Sequence, residues 1–213
     1  MSTVAKKIIA ASGAGGGGGI SGQFTKGLIM GTSDATAIDV EDVSSMSFKD
    51  NLAGSEFSIA QGSAVDTSRD YAFFANSSRD EITLVDFSDV NNVVIKDSLA
   101  DSIKLDSTRG VDVDSANEVV FATSLLDDFI NAIDYSTPTA MSFISSLDLG
   151  RSVTDVKLDV ARDVAYVQSS GKCFCVDISN TSSMSCSVVS VVSVVSSVIS
   201  VVSMGVVTND ASN

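Results

Sequence analysis

The chain has 213 residues, with 27 acidic against 13 basic side chains and a net charge of -14. This charge argues against binding to nucleic-acid phosphate or to an anionic membrane surface, because both would repel the protein. We therefore expect neither nucleic acid nor a membrane among its partners.

Cysteine and histidine usage limits the chemistry that the chain supports. Cys173, Cys175 and Cys186 lie in one short window, and there is no histidine. An odd count argues against a disulfide framework, so the first interpretation is small buried apolar side chains. A bridge from Cys173 or Cys175 to Cys186 is the alternative. Transition-metal sites are close to excluded, and we expect no metal and no cofactor.

Residues 1–27 are predicted to form a flexible N-terminal arm. The glycine run at 15–19 has no side chains to bury and maximal backbone freedom. The apolar run at 8–11 is too short for the core of a signal peptide, so no cleaved secretion signal is expected. The arm is interpreted either as a disordered leader or as a tether that orders on contact with a neighbouring subunit.

From residue 28 onward the sequence repeats. Each copy has an apolar alternating run, a polar turn, a second run that ends in aspartate, another turn and a third run. The closing aspartates are Asp39, Asp86, Asp134 and Asp177, spaced 47, 48 and 43 residues apart. A period of this size, built wholly of short strands, predicts an all-β protein with the fold of a β-propeller, in which each repeat forms one sheet around an axis.

The predicted propeller domain covers residues 28–213 and contains about four repeats of about 47 residues. The copies span approximately 28–62, 63–109, 110–151 and 152–203, and the first lacks an opening strand. Residues 204–210 can be aligned with the opening strand of the third copy, so they are predicted to close the ring. The alternative is completion by oligomerisation, for example two chains that together make about eight blades.

Aspartate-led turns precede the second strand of the complete copies. They begin at Asp66, Asp114 and Asp159. An aspartate in this position accepts hydrogen bonds from the backbone amides that follow, which fixes a tight hairpin. Asp112 and Asp114, with Asn117 and Glu118, faintly resemble a calcium loop, but the ligand spacing fails at Ala116. We interpret these residues as ones that stabilise a hairpin turn.

The stretch from Ser187 to Ser203 is uncharged and rich in valine and serine. Its length would permit a membrane span. The regular serines, the β-branched content and the lack of basic flanks favour strands instead. The stretch is predicted to be the outer strand of the last repeat and a return strand, with a membrane helix as the alternative.

Three second-strand motifs, YAFFANS, VVFATS and VAYVQSS, are each followed by an apolar strand that ends in aspartate plus an apolar or aromatic residue. In this they resemble the YVTN type of β-propeller repeat, which is found in surface-layer and secreted propellers and in some virion proteins. The resemblance covers roughly residues 20–213, and it departs from the family pattern in its low copy number and its lack of tryptophan. It implies an architecture and supplies no catalytic, metal, cofactor or binding residues.

Candidate catalytic residues are missing from the sequence. Without histidine no conventional nucleophile–base pair is available, and no local spacing supports a lysine or aspartate base. The sequence leaves open a pair of carboxylates that come together only in the folded protein. Such a pair could act in a glycoside-cleaving or lactonase-like propeller. The sequence therefore predicts that the protein is not an enzyme.

The leading hypothesis is a structural or interaction protein of a virion, such as a phage fibre, decoration or tail protein, present as a homo-oligomer. Its expected partners are other copies of itself and neighbouring structural proteins, reached through the arm at 1–27, and a host surface receptor. The alternative hypothesis is a secreted or cell-surface propeller that binds a glycan or a protein through its loops. The first hypothesis places the protein in a virion, and the second places it outside a cell or on its surface.

Overall fold

The structure is a computed structural model that describes residues 7–11, 26–30, 34–39, 47–53, 57 and 60–188. Most of these residues form β-strands, and a short 3₁₀ helix lies at Val160–Arg162. The predicted all-β class is therefore confirmed. The strands belong to four antiparallel sheets of four strands each, and within every sheet the strands lie in chain order.

The four sheets, named I to IV along the chain, have the following strands. Sheet I contains β1 (Lys7–Ala11), β2 (Lys26–Met30), β3 (Asp34–Asp39) and β4 (Ser47–Ala53). Sheet II contains β5 (Ala60–Asp66), β6 (Tyr71–Asn76), β7 (Glu81–Asp86) and β8 (Val94–Ala100). Sheet III contains β9 (Thr108–Asp114), β10 (Val119–Ser124), β11 (Phe129–Asp134) and β12 (Ser142–Asp148). Sheet IV contains β13 (Val153–Asp159), β14 (Val164–Ser169), β15 (Lys172–Asp177) and β16 (Ser185–Val188).

Neighbouring sheets pack face to face through apolar side chains. In the part of the chain that the structure describes, hydrophobic clusters join sheets I and II around Phe74, sheets II and III around Phe73, and sheets III and IV around Phe121. The opening strands β5, β9 and β13 lie next to one another, so they are the inner strands around an axis. This is the blade arrangement of a β-propeller, as the repeat predicts.

Hydrogen bonds between outer strands and the following sheet add a second link. They join Asp50 to Val93, Asp97 to Met141 and Ser145 to Thr181. The two aspartates accept from backbone N–H groups at 2.8 and 2.6 Å, whereas the serine hydroxyl donates to a carbonyl. Each outer strand thereby holds the turn that leads into the outer strand of the next sheet.

The predicted aspartate turns form in sheets II and III. Asp66 Oδ1 accepts from Ser68 N at 2.9 Å, and Asp114 Oδ1 accepts from Ala116 N at 3.1 Å. The third turn differs, because a 3₁₀ turn follows Asp159 and its carboxylate makes no capping bond to the backbone. That carboxylate instead pairs with the arginine three residues further on.

The first repeat differs from its prediction. The sequence predicts an arm over residues 1–27 and no opening strand in this repeat, whereas the structure places β1 at Lys7–Ala11, paired antiparallel with β2. The short run KIIAA contains two β-branched residues, which suits a strand edge. The described residues of the first repeat therefore supply four strands to sheet I. The predicted closing strand at 204–210 lies outside the described residues.

Sheet IV corrects the prediction for the cysteines. All three are free thiols, with Cys173 exposed and Cys175 and Cys186 half-buried. On β15 the side chains of Phe174 and Val176 are buried toward sheet III, so the residues that alternate with them fall on the other face. The expectation of buried cysteines is therefore wrong for Cys173 and only partly met by the other two.

Outer strand β16 contains the first residues of the valine- and serine-rich stretch, as predicted. Residues 189–203 of that stretch lie outside the described residues. Across the described ranges, no helix has the length and apolar character needed to cross a membrane.

Candidate functional site

The inner strands of sheets II, III and IV each have an irregular position at the same place in the repeat. Their pairing with the second strand of the sheet shifts register there, and the positions are Gln61 in β5, Arg109 in β9 and Thr154 in β13. Bulges re-aim the side chain at the insertion and commonly occur beside functional sites. These three side chains line a single cleft between the inner strands, which we call the axial cleft.

Two glycines bring the inner strands together at the axial cleft. A β-carbon on Gly62 would lie 2.1 Å from the carbonyl oxygen of Arg109, and one on Gly110 would lie 2.5 Å from the α-carbon of Asp155. Both distances are shorter than the 3.0 Å below which real β-carbons are essentially never found. The absence of a side chain at these two positions therefore permits the close approach of β5 to β9 and of β9 to β13.

The axial cleft has a volume of about 350 Å³, within the range of small-molecule sites. Besides the three bulge side chains, it is lined by Asp155, Lys157 and Gln168 and by short segments of β5 and β9. Most of these side chains are polar or charged. Residues from three sheets, which are far apart in the sequence, thus contribute hydrogen-bonding groups to one concave surface.

Contacts among the described residues use only part of this hydrogen-bonding capacity. Thr154 Oγ1 donates to Gln168 O at 3.4 Å, and Asp155 Oδ1 accepts from the next backbone N–H at 2.9 Å. Lys157 Nζ lies 3.8 Å from Asp112 Oδ2, a long separation for an ion pair. The guanidinium Nε of Arg109 is buried and has no hydrogen-bond partner among the described residues.

A larger depression of about 520 Å³ lies on sheet I. Among the described residues, its lining comes from β3 and β4 and includes Phe48, which is 78% exposed. Because the side chains come from two adjacent strands of one sheet, they do not converge on a point from several directions. The axial cleft is therefore the better candidate for a binding site.

The residues weighed as a calcium loop have structural roles instead. Asp114 anchors the turn after β9, and Asp112 Oδ2 accepts from Leu158 N at 3.0 Å, which ties sheet III to sheet IV. No group of three or more cysteine, aspartate or glutamate side chains is placed to hold a metal ion in the described ranges. The expectation of no metal and no cofactor stays a prediction.

Sequence reasoning predicts no site residue and misses the axial cleft. The available signal is small: a polar residue precedes glycine at the same place in two repeats, as Gln61-Gly62 and Arg109-Gly110. That pattern gains a meaning only when the strand pairing shows that the polar residue lies at a bulge and the glycine lies at a strand contact.

No family model and no curated protein matches the chain. Solved structures do match it. A putative 6-phosphogluconolactonase from Bacteroides uniformis is 7% identical with a TM-score of 0.65, over 78% of this chain and 52% of that one. A protein from Lactobacillus plantarum is 9% identical with a TM-score of 0.57, over 87% of this chain and 67% of that one. The dihydro-heme d1 dehydrogenase NirN is 11% identical with a TM-score of 0.57, over 78% of this chain and 34% of that one.

The chain has a β-propeller fold. It spans about half the length of the putative lactonase and about a third of NirN, and at these identities the likeness concerns the fold alone.

The prediction that the protein is not an enzyme is contradicted by these comparisons. Two of the similar structures are named as enzymes, a lactonase and a dehydrogenase. The sequence has no local spacing typical of catalytic residues, but a propeller gathers its functional side chains from separate blades, where no local spacing is needed. A β-propeller of this kind therefore gives no ground for excluding catalysis.

Proposed function

We propose that this protein is a ligand-binding β-propeller that holds a small polar molecule in the axial cleft. The observation that carries the proposal is the convergence of Gln61, Arg109 and Thr154, one bulge residue from each of three inner strands, on one cavity. Cavities of this volume with a few convergent polar groups are the usual form of small-molecule sites.

The construction of the cleft supports a binding role. Its walls are β-strands whose approach depends on glycine at two points, so the positions of the polar groups are set by rigid elements. A site on rigid strands loses little conformational entropy when a ligand binds. This proposal is the small-molecule form of the ligand-binding alternative that the sequence raises.

The proposal is tested by ligand-observed NMR with a panel of sugars, polyols, amino acids, hydroxy acids and nucleotides. Thr154→Trp places an indole in the cleft, and Thr139→Trp makes the same change on an exposed turn. We expect at least one compound to bind both the wild type and Thr139→Trp and to be lost in Thr154→Trp. Gln61→Leu, which removes an amide at similar size, provides a second cleft variant if the tryptophan variant does not fold.

Two results would contradict the proposal. Either no member of the panel binds the wild type, or the compounds that bind are retained by both cleft variants. Circular dichroism of each variant confirms that the sheets are intact before binding is compared.

The YVTN-type resemblance, a place in a virion and assembly through residues 1–27 stay predictions from the sequence. They are compatible with a cleft that binds ligand, because a displayed propeller can also carry a site. The solution mass of the protein with and without residues 1–27, measured by light scattering, tests assembly through the arm. An oligomer that dissociates on truncation supports it, and an unchanged mass contradicts it.

A further inference from the structure

Among the described residues that line the axial cleft, positive side chains outnumber negative ones, unlike in the chain as a whole. The chain carries a net charge of -14, yet the charged side chains that the described residues contribute to the cleft lining are two cations, Arg109 and Lys157, and one carboxylate, Asp155. A local excess of positive charge in a strongly acidic protein attracts anions to that point and repels them elsewhere.

Arg109 differs from three of the other four arginines in its ion pairing, and it differs from the fourth, Arg151, in being half-buried rather than exposed. Arg69, Arg79 and Arg162 each form an ion pair with a carboxylate. No ion pair joins the Arg109 guanidinium to any carboxylate of the described residues, and its buried Nε has no acceptor there. A guanidinium carries five N–H donors in a fixed plane, and a buried donor of a charged group is costly when it is unpaired.

The second cation is only loosely held. Lys157 Nζ lies 3.8 Å from Asp112 Oδ2, and that carboxylate oxygen already accepts from Leu158 N at 3.0 Å. Such a long pair contributes little, so the ammonium can turn toward a ligand at small cost. The carboxylate on the cleft wall, Asp155, already accepts a backbone hydrogen bond through Oδ1.

We infer that the axial cleft binds a small organic anion whose carboxylate or phosphate oxygens pair with the planar guanidinium of Arg109. The inference rests on the proposed function and names the chemical class of its ligand. Planar, two-point pairing with an oxyanion is the geometry that arginine favours. Gln61, Thr154 and Gln168 add amide and hydroxyl groups that suit hydroxyls next to the anionic group.

The test uses acetate and inorganic phosphate as anionic probes and acetamide as the neutral analogue of acetate, at constant ionic strength. Binding is followed through the Nε–H resonances of the arginines, of which the sequence has few enough to resolve. The Arg109 signal is assigned by its loss in Arg109→Lys. We expect acetate or phosphate to shift this signal with saturation, and acetamide to leave it unchanged.

Two variants distinguish direct binding by Arg109 from the effect of removing one positive charge anywhere on the protein. Arg109→Gln keeps a polar side chain and should weaken anion binding about tenfold or more, since it removes the charge-assisted hydrogen bonds of the guanidinium. Arg162→Gln removes the same charge from a side chain that is 75% exposed and pairs with Asp159, so it should leave the affinity within about twofold. Saturation by phosphate alone assigns a phosphate ligand, and saturation by acetate alone assigns a carboxylate.

The inference is overturned if acetamide shifts the Arg109 signal as acetate does, or if Arg109→Gln binds both anions as well as the wild type does. If, in that case, a neutral compound binds the wild type and does not bind Thr154→Trp, the inference fails but the proposed function is still supported. If neither anions nor the neutral panel bind, both the inference and the proposed function fail.

Discussion

The interface between sheets II and III and the interface between sheets III and IV are built from the same repeat, but they are held differently. The first contains a polar latch, defined as Asp66, Arg69, Glu118 and Tyr135. The Tyr135 hydroxyl donates to Asp66 Oδ2 at 2.9 Å, and Arg69 Nη1 donates to the same oxygen and to Ser115 O, both at 2.9 Å. Arg69 also pairs with Glu118, so one turn of sheet II is bonded to two turns of sheet III.

The second interface has no such latch among its described residues. Ile178 occupies the position of Tyr135, since both donate their backbone N–H to the left-handed residue that ends the first turn of their sheet. Asp114, the counterpart of Asp66, is bonded within its own turn by Asn117 Nδ2 at 2.7 Å. Here the apolar cluster around Phe121 and the contact of Asp112 with sheet IV supply the adhesion.

The repeat fixes the backbone, while single side chains decide how adjacent blades adhere. Asp66 and Tyr135 are 0% and 1% exposed, so their bond is shielded from water. The ring of Tyr135 also packs edge-on against Phe73, with centroids 4.8 Å apart. One side chain therefore serves both the apolar cluster and the latch.

The largest expected effect is that of a methyl group at the strand contacts of the axial cleft. We expect Gly62→Ala and Gly110→Ala each to lower the free energy of unfolding by about 3 kcal/mol or more. The added β-carbon would overlap backbone atoms of the adjacent inner strand, which cannot move without separating the two strands. Gly62→Ala should cost more, since its contact is 2.1 Å against 2.5 Å and the latch holds that interface closed. Urea unfolding measures both.

Gly150→Ala provides the control for these two variants. Gly150 has a φ of +64° and open space around it, so alanine there meets only the backbone strain of about 1 kcal/mol. If the cleft variants cost no more than this control, the glycines do not set the approach of the inner strands.

The next effect tests the latch itself. Tyr135→Phe keeps the ring and removes the bond to a buried carboxylate, so we expect a loss of about 1–2 kcal/mol in the free energy of unfolding. Tyr166→Phe makes the same change on a side chain that is 38% exposed, and it should be nearly neutral. Equal effects of the two variants in urea unfolding would show that the latch contributes nothing to the interface.

The blades were predictable from the sequence because their determinants are local. The alternation of apolar residues gives the strands, and the aspartates at the turns accept bonds from amides two or three residues further on. The closing aspartates behave likewise, for example Asp86 with Ser88 N at 2.9 Å. Hydrogen bonds between residues a few positions apart can be predicted from a single sequence.

The axial cleft and the latch were not predictable because they join distant residues. Tyr135 and Asp66 are 69 positions apart, and either alone is an ordinary tyrosine or aspartate. Arg109 enters the cleft because β9 has an irregularity in its pairing, which an alternating pattern does not reveal. The strand at Lys7–Ala11 was missed because the glycine run after it suggests an arm.

The smallest effect is a pH dependence that distinguishes the two interfaces. Burial tends to raise the pKa of Asp66, but hydrogen bonds from Ser68, Arg69 and Tyr135 more than offset it and hold the pKa below the ordinary value of 3.8. Burial and the bond to Asp66 raise the pKa of Tyr135, so the hydroxyl remains a donor at neutral pH.

The sign of the effect follows from the lowered pKa. Above pH of about 3.8 the Asp66 carboxyl is ionised in both the folded and the unfolded chain, and its contribution to stability is fully present. As the pH falls through the lower pKa of the folded protein, that contribution is lost. We therefore expect the difference in unfolding free energy between wild type and Asp66→Asn to be constant near neutral pH and to shrink in acid.

Asp177→Asn provides a comparison from sheet IV, at an aspartate that is bonded within its own turn and not across an interface. Hydrogen bonds from Ser179 lower the pKa of Asp177 too, but its carboxylate is exposed and screened by water. In urea unfolding, the difference in unfolding free energy between wild type and Asp177→Asn should vary less over this pH range than the difference for Asp66→Asn. A steeper acid dependence for Asp177→Asn than for Asp66→Asn would locate the acid-sensitive contact in sheet IV, and the latch would then not be the feature that distinguishes the two interfaces.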